Sequence, residues 1–218
     1  NNYINDKVVL VTGGGGSIGS ELCLQLLRFQ PKQLIVFDNC EDHVYQIDRQ
    51  IKQRFPEFSG LRSVVGDVAC DDDLRSVFQT VAIDVVFHAA AYKHVPLMEY
   101  NINALMKNSI RGTRLVLEHS KSVKVDRFIL ISTDKAVNPT NSMGASKRFC
   151  ELLTLAYARE YGVNFSAVRF GNVLGSRGSV VPLFEKQILE GGPVTVTHPE
   201  VTRFLMTRAE ACQLVLQA

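Results

Sequence analysis

The sequence predicts an α/β protein built on a doubly wound parallel sheet. Three observations lead there: short, nearly continuous apolar runs, amphipathic stretches alternating with them, and a glycine-rich turn after the first run. Runs without polar alternation are what strands covered on both faces require. The first run, 7–12, is followed by helical spacing over 20–29, and the second, 33–38, by a helix over 41–54. The third strand is expected at 62–67 with a helix at 71–80, and the fourth at 84–89 with one long helix at 97–120. A fifth strand at 127–132 leads to a helix at 142–161, and a sixth strand occupies 165–170. After Gly171 the rhythm breaks, and Gly175, Gly178, Pro182, Gly191, Gly192, Pro193 and Pro199 punctuate short elements. The expected organisation is one unit over 1–170 and a partial C-terminal subdomain over 171–218, interleaved with the first. The helical pattern at 209–218 carries no stop signal, as in a piece of a longer chain.

Composition removes several function classes. With 46% hydrophobic residues, 21% charged residues and a net charge of +2, the chain is globular and nothing electrostatic argues for nucleic acid. Its five cysteines lack metal or redox spacing, which fits reduced thiols in the cytoplasm, with Cys150 as a small buried side chain. No apolar run approaches the roughly 20 residues that span a bilayer, and no signal peptide opens the chain. His198 beside Pro199 suits a turn, and without a second ligand at proper spacing no metal is expected.

Thr12-Gly13-Gly14-Gly15-Gly16-Ser17-Ile18-Gly19 follows the first strand and opens the first helix. Glycines at 13, 16 and 19 permit a tight turn, close backbone approach to a pyrophosphate, and close helix–strand packing. Ser17 and Ile18 begin the helix, whose N–H groups and positive dipole end would meet the phosphates. With a strand before, a helix after and Asp38 closing the second strand, this is the fingerprint of a Rossmann dinucleotide site. Asp38 can accept hydrogen bonds from an adenosine ribose and would repel a 2′-phosphate. Asn39, Glu41 and Asp42 offer that phosphate no cation, so the expected cofactor is NAD rather than NADP. Asp67 and Val68 end the third strand, where a carboxylate could meet the adenine amino group. Ala89 and Ala90 end the fourth and leave room for the cofactor. All these residues fall at strand carboxyl ends, where such sheets bind ligands.

Ser132-Thr133-Asp134-Lys135 ends the fifth strand, and Met143-Gly144-Ala145-Ser146-Lys147 begins the next helix. Here the chain resembles the extended short-chain dehydrogenase/reductases. More narrowly it resembles the CapD-like, membrane-anchored UDP-N-acetylglucosamine 4,6-dehydratases of polysaccharide biosynthesis. The matching segments are TGGGGSIGSEL, HAAAYKHVPLME, STDKAVNPTNSMGASKR, RFGNVLGSRGSVVPLF and HPEVTRFLMT, spread over nearly the whole chain. The resemblance implies NAD-dependent 4,6-dehydration of a UDP-N-acetyl-hexosamine to a 4-keto-6-deoxy sugar nucleotide. It also implies a substrate-binding role for the C-terminal subdomain and a homo-oligomer paired through the helices at 97–120 and 142–161. Membrane contact would come only through a separate N-terminal region, with this domain on the cytoplasmic face.

Most of the wider family carries Tyr-x-x-x-Lys at the start of this helix, the Tyr taking a hydroxyl proton. Met143 stands at the Tyr position and Lys147 keeps its own. A thioether carries no proton at neutral pH, so another group must take part. The family's usual Asn in N-x-x-G-T falls on Ser109, with Asn108 one place earlier. By the same resemblance Thr133 bonds the sugar C4 oxygen, Asp134 is the acid that expels the C6 hydroxyl, and Lys135 is the base at C5. Lys147 binds the nicotinamide ribose. These roles require a protonated Asp134 and a neutral Lys135, states that burial favours.

Asn172, Lys93 and His94 are expected to reach the sugar or diphosphate, with solvated or locally satisfied loop groups as the plain alternative. Arg177 and Arg203 are candidate diphosphate clamps, because guanidinium forks fit phosphate oxygens. A UDP-sugar 4-epimerase, a net dehydrogenase, and a nucleotide-binding domain without catalysis all stay open. The adjacent Asp134–Lys135 pair favours dehydration, since an epimerase needs no acid–base pair at C5 and C6.

Overall fold

The computed structural model describes residues 3–176, 178–196 and 198–218. Six strands, β1 (Val8–Thr12), β2 (Gln33–Asp38), β3 (Leu61–Val65), β4 (Val85–His88), β5 (Arg127–Ile131) and β6 (Phe165–Val168), form one parallel sheet ordered β3-β2-β1-β4-β5-β6. The helices are α1 (Ser17–Leu26), α2 (Glu41–Arg54), α3 (Asp71–Phe78), α4 (Val95–Glu99), α5 (Ile102–Leu105), α6 (Gly112–Ser122), α7 (Ser142–Tyr161), α8 (Val180–Leu189) and α9 (Arg208–Gln217). Two short parallel strands, β7 (Asn172–Val173) and β8 (Leu205–Met206), pair outside the main sheet. The strand order reverses between β1 and β4, so a crevice opens at their carboxyl ends. The doubly wound parallel sheet is the architecture the apolar runs predict.

Every residue of β1 is buried, because helices cover both faces. Val9 and Val11 point into one layer with Leu22, Leu26, Ile47, Ile51 and Val215 from α1, α2 and α9. Val8 and Leu10 point into the other with Leu74, Val77, Val116 and Cys150 from α3, α6 and α7. Burying each such aliphatic side chain contributes about 1.5–3 kcal/mol. The strand β3 closes one edge of the sheet and stays partly exposed, unlike the fully covered strand expected there.

The bounds of β2, α2 and α7 are those the sequence predicts. Elsewhere local hydrogen bonds trim or divide the elements. The strand β3 stops at Val65: Gly66 N–H still makes the last ladder bond to the Asp38 carbonyl, and Asp67 then folds into an Asx turn. In that turn Asp67 Oδ1 accepts from Ala69 N–H at 2.9 Å. The long helix expected at 97–120 is divided into α4, α5, a π-helical stretch at Met106–Arg111, and α6. The first break comes where Asn101 Nδ2 donates to the Leu97 carbonyl at 2.8 Å and ends α4. In the C-terminal part α9 buries Ala211, Cys212, Val215 and Leu216 and joins the core beside α1, whereas α8 buries none of its residues. Among the described residues no helix is long and apolar enough to cross a membrane.

Candidate active site

A cleft of about 660 Å³ lies over the carboxyl ends of β1, β2, β4 and β5. At its floor Gly13 adopts φ +65°, and a Cβ there would stand 2.5 Å from Ala90 N. A Cβ on Gly19 would overlap the Gly13 carbonyl oxygen. The turn, the first helix and the loop after β4 therefore close on one another with no room for side chains. A Cβ on Gly16 would meet only the Gly13 carbonyl oxygen, at 3.1 Å, and Gly16 lines the cleft. As N-cap of α1, Gly16 brings no capping side chain, and the first turn holds no acidic residue. The positive end of the helix lies on the cleft, with the Asp38 carboxylate bonded to the preceding Gly15 N–H, and the residues present fit a dinucleotide pyrophosphate.

Asp38 pins this turn to the end of β2. Its Oδ2 accepts from Gly15 N–H and its Oδ1 from Cys40 N–H, both at 3.0 Å. Each oxygen keeps a further lone pair for a ribose hydroxyl. Ser17 and Ile18 of the glycine motif and Asp67, Val68, Ala89 and Ala90 of the strand ends line this cleft together.

The opposite wall holds Thr133, Lys135, Met143 and Lys147. Lys147 is buried, and its Nζ donates to the Ile131 carbonyl at 2.9 Å. Burial pushes its pKa down, opposed by the neighbouring Cys150 and Glu151. Met143 is buried with Met98, Leu105 and Val95, so the tyrosine position presents an apolar surface. Lys135 Nζ donates to Asp134 Oδ1 and to Asn172 Oδ1, both at 3.0 Å. Thr133 Oγ1 donates to the same Asp134 oxygen at 2.8 Å.

Two expectations about Asp134 are corrected. Its carboxyl lies behind Lys135 and does not line the cleft. Nor is it held protonated: burial raises its pKa, but the bonds from Lys135 and Thr133 outweigh burial and hold it below the ordinary carboxylate value. The pair stands as an ion pair with roughly a third of each side chain exposed.

Beneath this wall His88 is fully buried at the end of β4. Its Nδ1 pairs with Thr12 Oγ1 at 2.6 Å and its Nε2 with Thr113 Oγ1 at 3.0 Å. Burial, with the Lys147 charge adding, pushes its pKa from 6.5 to about 3. The folded state therefore holds a neutral ring while the unfolded chain takes up a proton near 6.5. Stability from this group is complete above that value and is lost as pH falls toward about 3. The loss amounts to at most about 1.4 kcal/mol per pH unit. Thermal melts between pH 7 and pH 5 should show a flatter decline in His88→Asn than in the parent. Equal slopes would remove His88 as the cause.

Of the residues expected to reach the substrate, Lys93, His94 and Asn172 all line the cleft. Lys93 Nζ donates to Ser176 Oγ at 3.4 Å, and the His94 ring lies where a Cβ on Gly178 would fall. Arg203 is not brought to the site: it is exposed ahead of β8 and its Nη1 donates to the Thr202 carbonyl at 2.7 Å. Arg177 lies outside the described residues. Ser176 and Ser179, which sequence reasoning passed over, also line the cleft, and the run of small residues around them was the available signal. Asn108 lines the cleft too, 8% exposed, from within the π-helical stretch. Its Oδ1 has no hydrogen-bond partner among the described residues. The widened turn carries Asn108 into the site, whereas Ser109 is buried and absent from its lining.

Residues 9–218 match the family model described as "Polysaccharide biosynthesis protein". The "Probable polysaccharide biosynthesis protein EpsC" of Bacillus subtilis (strain 168) is 49% identical over 217 residues, covering 100% of this chain and 36% of that protein. A "UDP-glucose 4-epimerase" of Rickettsia canadensis (strain McKiel) is 37% identical, covering 98% of this chain and 62% of its own length. Among solved structures, DesIV, a dTDP-glucose 4,6-dehydratase from Streptomyces venezuelae with NAD and TYD bound, superposes with a TM-score of 0.82 at 25% identity. That match covers 94% of this chain and 69% of DesIV. The chain thus spans about a third of EpsC and under two thirds of the epimerase. Sheet order, glycine cradle and a match over almost the whole length agree, and the chain belongs to the polysaccharide biosynthesis protein family.

Proposed function

We propose that this domain performs the NAD-dependent 4,6-dehydration of a UDP-N-acetyl-hexosamine, with UDP-N-acetylglucosamine as the substrate to test first. The observation that carries the reading is the Lys135–Asp134 pair at the end of β5, 3.0 Å apart, with Lys135 on the cleft wall and bonded to Asn172. NAD when bound supplies a hydride acceptor for sugar C4 and returns that hydride to C6. The rest falls to the chain. Thr133 is near enough to the pair to orient the C4 oxygen, and Lys147 holds the nicotinamide ribose. Met143 takes up no proton, so the C4 hydroxyl proton released with the hydride also passes to the pair, where it replaces the one that leaves with water, and Lys135 returns its proton to C5 at the end.

One proton shared between Lys135 and Asp134 can satisfy both needs of the elimination. A sugar filling the cleft removes the water that stabilises the separated charges, and the neutral form of the pair gains. Lys135 then takes the C5 proton, and the proton passed to Asp134, which does not itself line the cleft, reaches the departing C6 hydroxyl through Thr133 Oγ1. Asp38 and its uncharged neighbour Asn39 support NAD over NADP. Lys93, His94 and Asn172 are assigned to the sugar or diphosphate, and the unpartnered Asn108 Oδ1 offers an acceptor at the nicotinamide end. Exposed Phe149, Leu152 and Leu155 on α7 support a homo-oligomer formed on that face. Attachment to the cytoplasmic side of a membrane would belong to a region outside this sequence.

Similarity to a UDP-glucose 4-epimerase favours a second reading, interconversion at C4 without loss of mass. Mass spectrometry of UDP-N-acetylglucosamine incubated with the protein and NAD separates the two. Loss of one water is the expected result. A product of unchanged mass would make the domain an epimerase, and NAD binding without any conversion would make it a binding domain.

A further inference from the structure

Behind the strand ends the Glu151 carboxylate of α7 is 2% exposed, and it accepts four hydrogen bonds. Ser132 Oγ donates to Oε1 at 2.6 Å and Arg169 Nε to the same atom at 2.7 Å. Arg169 Nη2 donates to Oε2 at 2.5 Å and Arg148 Nη1 at 3.1 Å. These donors come from three places: Ser132 directly follows β5, Arg169 directly follows β6, and Arg148 lies on α7 itself. Glu151 stands one helical turn after Lys147, whose Nζ holds the carbonyl of Ile131, the residue before Ser132. One carboxylate thus joins the strand end bearing Thr133 and Lys135, the strand end leading to Asn172, and the helix bearing Lys147 and Met143. The carboxylate is buried while the Arg169 and Arg148 side chains stay 38% and 43% exposed, and an ion pair of this kind is weak evidence for a purely stabilising role.

We infer that Glu151 is a positioning residue: it fixes the carboxyl ends of β5 and β6 to α7 and thereby sets where Lys147, Lys135 and Asn172 stand in the cleft. The charge acts in the same sense as the geometry. Burial lowers the Lys147 pKa, Cys150 and Glu151 on its own helix oppose that, and His88 faces it from β4. Arg169 and Arg148 in turn keep Glu151 ionised: burial raises its pKa, and the bonds from Arg169, Ser132 and Arg148 bring it below the ordinary value.

The inference rests on the proposed reading for the identity of the cofactor, so its test also reads Lys147 directly. The variant is Glu151→Gln. NAD binding is measured by calorimetry, and Lys147 is measured by competitive labelling with acetic anhydride across pH, read by mass spectrometry. The expected result is NAD affinity lower by about tenfold or more, the scale on which small misplacements act. The labelling midpoint of Lys147 should also move to lower pH. Glu151→Asp, which keeps the charge but shortens the reach, should restore the midpoint more than the affinity. A folded Glu151→Gln protein with unchanged midpoint and affinity overturns the inference, as does a lowered melting temperature with both readings intact. If Glu151→Gln does not fold, the double variant Glu151→Gln/Arg169→Gln removes both charges and carries the same two readings. If the parent binds no NAD, the proposed function fails while the labelling midpoint still decides the role of Glu151.

Discussion

Lys135→Ala lowers conversion of UDP-N-acetylglucosamine by about 10³-fold, the middle of the range for losing a general base, while NAD binding stays near the parent value. The separation follows from where the side chain stands. Lys135 Nζ reaches Asp134 and Asn172 at the ends of β5 and β6, whereas the glycine cradle and Asp38 lie at the ends of β1 and β2. Truncation also spares the backbone. The turn at Asp134–Ala136 is closed by Thr133 Oγ1 accepting from Lys135 N–H at 3.4 Å, a bond that alanine keeps. Asp134 loses its cation but retains the Thr133 hydroxyl and partial access to water, so folding survives. Single-turnover assays paired with NAD calorimetry check both halves. Conversion within tenfold of the parent would remove Lys135 as the base.

Gly13→Ala should abolish NAD binding in the accessible range, weakening it by about a hundredfold or more. Two penalties coincide at this residue. Its φ of +65° is strained for any side chain, and the new Cβ would meet Ala90 N at 2.5 Å and Ala90 Cα at 2.7 Å. Those contacts are backbone and cannot rotate away, so the β1 turn or the loop after β4 must move, and both line the cleft. Gly162 supplies the control. It has φ +63°, but a Cβ there would meet nothing within 4 Å, and it ends α7 far from the cleft lining. Gly162→Ala should cost about 1 kcal/mol from strain alone and leave NAD affinity unchanged. Equal affinity in the two variants would show that the contact with Ala90 is not what matters.

The parts of the fold that hydrophobic spacing can express were legible in the sequence. The strand β2 and helices α2 and α7 have their expected bounds, since continuous or helical burial patterns mark them clearly. The cradle was legible because glycine and a strand-end aspartate answer to local backbone needs. The division of 97–120 was not, because spacing shows that a stretch is helical and does not register one amide ending a helix at Asn101. The protonation of Asp134 went astray for a related reason. Sequence adjacency brings Asp134 and Lys135 together, but only the fold sets how much burial opposes their attraction. Glu151 gave no signal, since its partner Arg169 is 18 residues away on another element and both read as ordinary surface charges. Arg203 misled in the opposite direction: a guanidinium suited to phosphate faces solvent.

The widened turn at Met106–Arg111 has a consequence for how the two halves of that stretch relate. A regular helix advances about 100° per residue, so the facing of its two ends is locked together. A π-helical turn takes in an additional residue and breaks that lock. Leu105 on one side keeps its seat beside Met98 and Met143, while Gly112 on the other meets Val68, whose Cγ2 would lie 2.8 Å from a Cβ there. The widened turn thus resets the phase between the two halves, one packed beside Met98 and Met143 and the other against Val68, with Asn108 between them.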